Sequence, residues 1–336
     1  MKILAINGGS SSVKCRLDDL SHAPSEPAAP LWQAHIESHD DLASVLRSGP
    51  GPIDAVVHRI VHGGKFRQTT RITSEVRAAI AGEAEEAPAH NKFELQAVDT
   101  AESVFGADVP QVAAFDTAFH STLEPAAYVY PGPYEWLDLG IRRYGFHGLS
   151  HQYSSRRAAE LLGSDSPRLI VCHLGNGASL CAIRDGKSVD TTMGFTPLEG
   201  VMMGTRSGSI DPAILIYLMR HRGYTADQLD CILNSESGLL GVSGISGDMR
   251  EILKSTDARA KLAFEIYAHR LCREIGAMAG VLGGADAIVF TGGVGENCAP
   301  LRDIVEKRFS FLNAKILVID AEEEWEMVRE CFLLLS

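Results

Sequence analysis

Residues 3–17, ILAINGGSSSVKCRL, and residues 169–183, LIVCHLGNGASLCAI, share one arrangement: an apolar run, a glycine-bearing turn and a second apolar run. Gly8 falls in register with Gly175, and Ser12 with Ser179. Apolar runs bounded by turn residues read as strands, and glycine admits the backbone angles of a tight turn. Each stretch is therefore expected to form a β-hairpin, and the pair points to a chain built from two related halves.

Outward from the hairpins, strands are expected at 2–6, 13–17, 54–57, 109–115, 169–174, 180–183, 287–291 and 315–319. Helical patterns lie between them. Residues 211–222, DPAILIYLMRHR, offer Asp as N-cap and Pro at the first helical position. Residues 257–282 place Leu262, Phe264, Ile266, Tyr267, Leu271, Ile275 and Met278 at helical spacing. Residues 21–30, SHAPSEPAAP, read as a surface loop. Alternating strands and helices indicate an α/β class. The 336 residues suggest two domains, with a boundary between 117 and 150.

With 45% hydrophobic and 22% charged residues, the chain is ordinary globular protein. The net charge of −12 argues against a nucleic-acid or anionic-membrane surface, either of which needs a basic face. A nucleotide needs only local cations and is not excluded. No apolar run approaches the roughly 20 residues of a membrane span. The opening MKILAING is a strand pattern, not a secretion signal. Seven cysteines with no C-x-x-C fit reduced thiols, so a cytoplasmic protein is expected.

The longest stretch without helix or strand rhythm is 191–212, TTMGFTPLEGVMMGTRSGSIDP, dense in small residues around Arg206. Long irregular segments in compact domains are usually functional. A guanidinium with small neighbours is approachable by carboxylate or phosphate oxygens. Three glycine turns suggest which anion. NGGSSSVK at 7–14 offers Ser10, Ser12 and Lys14 as donors to phosphate; alone it reads equally as a plain hairpin turn. HLGNGAS at 173–179 and TGGVGEN at 291–297 each follow a buried-type strand, where glycines let phosphate and ribose approach the backbone. Together the three favour a nucleoside triphosphate. In HRIVHGG at 58–64, Arg59 reads either as an anion clamp or as a surface arginine. In AAFDTAFH at 113–120, Asp116 reads as a catalytic carboxylate or as a helix cap. In RRYGFHGLSH at 142–151, His147 reads as a donor to a phosphoryl oxygen or as a satisfied core histidine. His58 with His62, and His147 with His151, mimic zinc pairs by spacing, but no third-ligand motif follows.

Taken together, NGGSSSVK, HRIVHGG, FDTAFH, RRYGFHGLSH, CHLGNGAS, MGFTPLEGVMMGTRSGSIDP, SGLLGVSGISGDMR and DAIVFTGGVGEN resemble the motifs of the acetate kinase family, in that family's order. The resemblance implies the fold shared by acetate and sugar kinases, Hsp70 and actin: two ribonuclease-H-like domains flanking a nucleotide cleft. Here they would be 1–117 plus 322–336, the acyl- and Mg-binding lobe, and 118–321, the nucleotide-binding lobe. It implies reversible in-line phosphoryl transfer from ATP to acetate, giving acetyl phosphate and ADP, with Mg²⁺ or Mn²⁺. By the same resemblance Asp116, His147, Arg206, Arg59 and His90 are catalytic. Arg59, Val61, Ala89, Phe146 and Pro197 hold the acyl substrate. Lys14 with Ser10 and Ser12, His173, Leu174, Gly175, Asn176 and Gly177, then Asp248, Met249 and Arg250, then Gly293, Val294, Gly295, Glu296 and Asn297 bind ATP. Asn7 and Glu323 serve the metal, with Glu322 and Glu324 adjacent and the register open. A homodimer is the family's usual state.

Three departures stand out. The chain is shorter than the family usually runs, with gaps between NGGSSSVK and HRIVHGG and after GENCAP. The family's Pro-Thr-Asn-Glu-Glu-like segment is IDAEEEWEMV at 319–328. The position before His90, commonly Leu, is Ala89, and Lys92-Phe93 replace Pro-Pro. A smaller Ala89 predicts room for propionate beside acetate. The alternatives are a propionate or butyrate kinase, a catalytically weakened nucleotide-binding relative, or a phosphohydrolase.

Overall fold

The structure is a computed structural model. It describes residues 1–8, 12–23, 26–83 and 91–336, the side chains of residues 39, 83, 91 and 92 excepted. Its described secondary structure includes two mixed sheets. The first contains β1 (Lys2–Gly8), β2 (Val13–Asp19), β3 (Trp32–Ile36), β4 (Ala55–Ile60), β5 (Thr70–Arg71) and β6 (Gln111–Phe115), in the order β3-β2-β1-β4-β6-β5. The second contains β7 (Leu169–Leu174), β8 (Ala178–Arg184), β9 (Lys187–Thr191), β10 (Ala287–Thr291) and β11 (Lys315–Val318), in the order β11-β10-β7-β8-β9.

The two sheets repeat one plan. Three antiparallel strands (β3-β2-β1, β9-β8-β7) continue into two parallel ones, β4-β6 in the first sheet and β10-β11 in the second. The duplicated ribonuclease-H-like core that the family resemblance implies is present, and the two related halves expected from the hairpins with it. The hairpin echo is not exact in detail. Pairing closes at Gly8–Val13 in the first and at Leu174–Ala178 in the second, so the turns hold four and three residues. Ser12 lies in its turn, whereas Ser179 is inside β8 opposite His173.

All eight expected strands form. The three missed ones are short or polar. β3 alternates partly buried and exposed positions before the buried Ile36, and β5 has two residues. β9 follows a tight turn in which Asp185 and Gly186 both take positive φ, at 55° and 68°. Asp-Gly flanked by strands is a hairpin signal that reading by apolar runs overlooks. The expected helices also form, with two corrections. The helix Ala213–Arg222 begins one residue later than expected: Pro212 flanks it and Asp211 Oδ1 accepts from Ala213 N at 2.9 Å. No side chain of that helix is buried. In the helix Ala258–Leu282, Tyr267, Leu271, Ile275 and Met278 are buried as expected, but Leu262 is exposed. No helix of the described residues is long and apolar enough to cross a membrane.

The chain divides into two compact units. The first comprises Met1–Ser121, Phe146–Arg157 and Glu322–Ser336; the second comprises Thr122–Gly145 and Ala158–Ala321. Residues 146–157 thus group with the first unit, not with 118–321. The reason is local. Gly148 N donates to Asp116 O at 2.8 Å, and the His120 ring bonds Phe146 O at 3.0 Å. The return at Glu322 follows from burial: Trp325, Met327, Val328 and Cys331 seat the helix Glu323–Leu335 on the first sheet.

Candidate active site

In the first unit the parallel strands β1, β4 and β6 end together, and each end carries a polar side chain: Asn7, Arg59 and, one residue past β6, Asp116. Functional residues of open α/β sheets gather at such carboxyl ends. Arg59 holds Asp116 as a fork, Nε to Oδ1 at 3.0 Å and Nη2 to Oδ2 at 2.6 Å. Its Nη1 donates to Asn7 Oδ1 at 3.1 Å. Burial alone would lower the Arg59 pKa, but the charges of Asp116, Glu323 and Glu94 outweigh it and raise it.

The three glutamates at the head of the last helix have distinct surroundings. Glu322 accepts from Arg16 Nη1 at 3.0 Å. Glu324 accepts from Asn7 Nδ2 at 2.6 Å. Glu323 lies 3.9 Å from Arg59 Nη2, and its buried Oε1 has no hydrogen-bond partner. Val61 and Phe146 are buried, and the Phe146 ring lies 5.8 Å from that of His62. His147 holds a positive φ of 57°, uncommon for a residue with a Cβ and frequent at working sites. His58 and His62 are both buried, and no group of three or more metal-ligating side chains forms among the described residues. His58 lies in β4 on Gln111 at 2.6 Å, and burial lowers its pKa to about 4. Ser10, Ala89 and His90 lie outside the described residues. Ser12 is partly buried and Lys14 is exposed on β2.

In the second unit the matching strand ends open onto a pocket of about 630 Å³. Its lining brings together three separately expected segments: Gly175 and Asn176 after β7, Asp248 to Arg250, and Gly293, Val294 and Asn297 after β10. Five residues expected from these segments do not line it, and neither does Ser12 or Lys14. His173 and Leu174 are buried in β7, Gly177 O accepts from Gly175 N, and Gly295 O is taken by Arg302. Glu296 Oε1 accepts two main-chain N–H groups, of Gly292 and Ala321. Its carboxylate therefore braces the turn after β10.

Arg206 sits on a turn packed directly behind this pocket. Gly204 N donates to Asn176 O at 3.1 Å, and a Cβ at Gly204 would collide with Asn176 and Gly247, both pocket residues. The Arg206 guanidinium donates from Nη1 to Pro197 O at 3.2 Å and touches the Met203 sulfur at 3.9 Å. Among the described residues it has no carboxylate partner, and burial lowers its pKa. The group still stays charged.

The family model described as the acetokinase family matches residues 40–332. The chain belongs to the acetokinase family. Among acetokinase relatives, the acetate kinase of Gloeobacter violaceus is 50% identical, with 99% of both chains covered. That alignment runs over 400 positions, so the relative carries insertions against these 336 residues. The crystal structure of Porphyromonas gingivalis acetate kinase matches with TM-score 0.89 and 35% identity over the whole of both chains. A propionate kinase from Francisella tularensis subsp. tularensis SCHU S4 matches with TM-score 0.88 and 34% identity over 98% of each.

The site residues expected from sequence leave out several residues of the pocket and one buried beside the strand ends of the first unit. Gly247, Leu253 and Cys298 also line the pocket. Gly247 stands beside the expected Asp248, so the signal was adjacent. Glu94, 3% exposed, accepts from Val61 N at 2.9 Å and has its other oxygen unpartnered. Burial raises its pKa to about 8, the Val61 N–H and Arg59 opposing and Asp116 adding. A lone acidic residue in a helix-forming stretch gives no hint of this.

Proposed function

We propose that this chain is a short-chain acyl kinase that phosphorylates acetate reversibly with ATP. The observation that carries this reading is the Arg206 guanidinium: charged, partly buried, without a carboxylate, and on a turn packed against the nucleotide pocket. A fixed cation that the fold leaves unmatched suits a ligand that brings negative charge.

The nucleophile, a carboxylate oxygen, is ionised at neutral pH and needs no base. It forms a bond to the γ-phosphorus while the bond to the β–γ bridging oxygen breaks, and ADP leaves with that electron pair. The obstacle is repulsion between two anions. Arg59, held in plane by Asp116, receives the acyl carboxylate, with Val61, Phe146, Pro197 and Ala89 around its alkyl end. Arg206 and His147 stabilise the charge developing on the transferring phosphoryl, and His90 assists. Gly175, Asn176, Asp248 to Arg250 and Gly293 to Asn297, with Lys14, hold the nucleotide.

The residues fit a divalent metal. Mg²⁺ favours one or two carboxylates with phosphate oxygens and water. Glu323 Oε1, which accepts no hydrogen bond among the described residues and lies 3.9 Å from Arg59 Nη2, offers that ligand, Asn7 Oδ1 keeps a second lone pair, and Arg16 and Asn7 already engage Glu322 and Glu324. When bound, the ion would neutralise phosphate charge.

Propionate is a second substrate on this reading. Ala89 lies outside the described residues; Phe93, the side chain that the sequence offers to offset a smaller Ala89, packs against Gly8 and the core of the first sheet. One methylene in an apolar pocket is worth about 1–3 kcal/mol. Hydroxylamine trapping with MgATP and acetate, propionate or butyrate tests both statements: acyl hydroxamate is expected with acetate and appreciably with propionate. Phosphate release without hydroxamate favours a hydrolase, and strict acetate preference removes the role given to Ala89.

The chain acts in the cytoplasm as a homodimer. Seven free cysteines support a reducing compartment. Exposed Ile214, Ile216, Tyr217 and Met219 on a helix with no buried side chain support self-association, testable by light scattering.

A further inference from the structure

Arg143 lies in the second unit, and its guanidinium binds four acceptors at once. Nη1 donates to three successive carbonyls, Thr191 O at 3.1 Å, Thr192 O at 3.0 Å and Met193 O at 2.9 Å. Nη2 donates to Glu199 Oε1 at 2.8 Å. The other oxygen of Glu199 accepts from the Tyr130 hydroxyl, and that hydroxyl accepts from Phe195 N at 2.9 Å. Gly194 O is bound by Tyr144 N at 3.0 Å and by Gly145 N at 3.3 Å. A Cβ at Gly194 would collide with the Glu199 carboxylate and the Tyr130 hydroxyl, so the strap leaves room for glycine alone.

Thr192 still binds Leu180 of β8, its N–H donating to Leu180 O at 3.0 Å and its hydroxyl accepting from Leu180 N at 2.9 Å. Residues 193–199 lie beyond the strand, and the Arg143, Glu199 and Tyr130 bonds hold them in place. Within that span lies Pro197, whose carbonyl is the acceptor that orients Arg206 Nη1. We propose that Arg143, Glu199 and Tyr130 form a positioning network for Arg206, fixing the Pro197 carbonyl and hence the direction in which the unmatched guanidinium points. The inference rests on the acyl-kinase reading above, in which Arg206 acts on the transferring phosphoryl. A lysine ammonium cannot reproduce the planar fork that spans three carbonyls and a carboxylate. Misplacing a charge-stabilising group by about 1 Å costs on the order of 100-fold in rate.

The test is non-additivity. Arg143→Lys and Glu199→Gln are each made alone and in an Arg206→Ala background, with kcat for acyl hydroxamate referred to folded protein. Alone, each is expected to lower kcat about 10–100-fold while KM for MgATP changes less than threefold. In the Arg206→Ala background the further loss is expected to be under threefold, because residues acting through one group are not additive. A merely structural role would lower the folded fraction without this dependence on background. Equal losses in both backgrounds, or unchanged kcat in the single variants, would overturn the proposal. If Arg143→Lys does not fold, Tyr130→Phe, which removes one hydroxyl, is put through the same cycle with the same two outcomes. Failure of the underlying reading looks different: the unmodified protein would then form no hydroxamate at all.

Discussion

Two arginines in two units do opposite things with their charge. Arg59 is surrounded by acceptors supplied by the fold, with Asp116 on two of its nitrogens, Asn7 on the third and Glu323 nearby. Arg206 has a carbonyl and a thioether. The first is a cation positioned by its counter-charge; the second is a cation whose counter-charge the fold withholds. Burying an uncompensated charge costs several kcal/mol, a cost that a bound anion removes. On the proposed reading, this difference suits the second unit to a more anionic ligand than the first.

The largest expected effect is shared. Arg206→Ala and Arg59→Ala each lose about 100–1000-fold in turnover of acetate and ATP, and near-normal turnover in either removes its role. Stability should then separate them. Arg59→Ala leaves the buried Asp116 carboxylate unpaired, so urea unfolding is expected to show a loss of about 3 kcal/mol or more. Arg206→Ala removes a charge that has no carboxylate partner among the described residues and should stay within about 1 kcal/mol of the parent or exceed it. Equal losses would break the comparison.

Next comes Glu94. Its folded pKa of about 8, raised by burial from an ordinary 4.5, means that the folded chain keeps a proton the unfolded chain releases. Stability therefore declines as pH rises through that window, by at most about 1.4 kcal/mol per pH unit. Glu94→Gln should remove the decline, so the parent loses ground to the variant between pH 5 and pH 8. Parallel stability curves would show that the carboxyl ionises in both states alike. The smallest effect is at the proposed metal site. Glu323→Gln should raise the Mg²⁺ needed for half-maximal turnover about tenfold, and Glu322→Gln by less, because Arg16 already engages that carboxylate.

The fold was legible where burial writes a continuous apolar run. β7 and β10 are buried at every position, and both were visible from sequence. β3 and β9 alternate or carry charge, and only their partners make them strands. Pocket-lining residues were legible where glycine marks a turn, as at Gly175 and Gly293. Their neighbours were not. Leu174 and Glu296 share a motif with pocket residues yet face the core and the main chain. Glu94 and Arg143 escaped because their importance lies in partners 33 and about 50 residues away.

The most direct test of the unmatched-charge claim is acyl hydroxamate formation by Arg206→Ala, measured beside the unmodified protein on preparations of equal folded fraction. Abundant hydroxamate from the parent with acetate, and a 100–1000-fold lower rate from the variant, is the expected result. Equal rates from the two, or phosphate release by the parent with no hydroxamate, would contradict it.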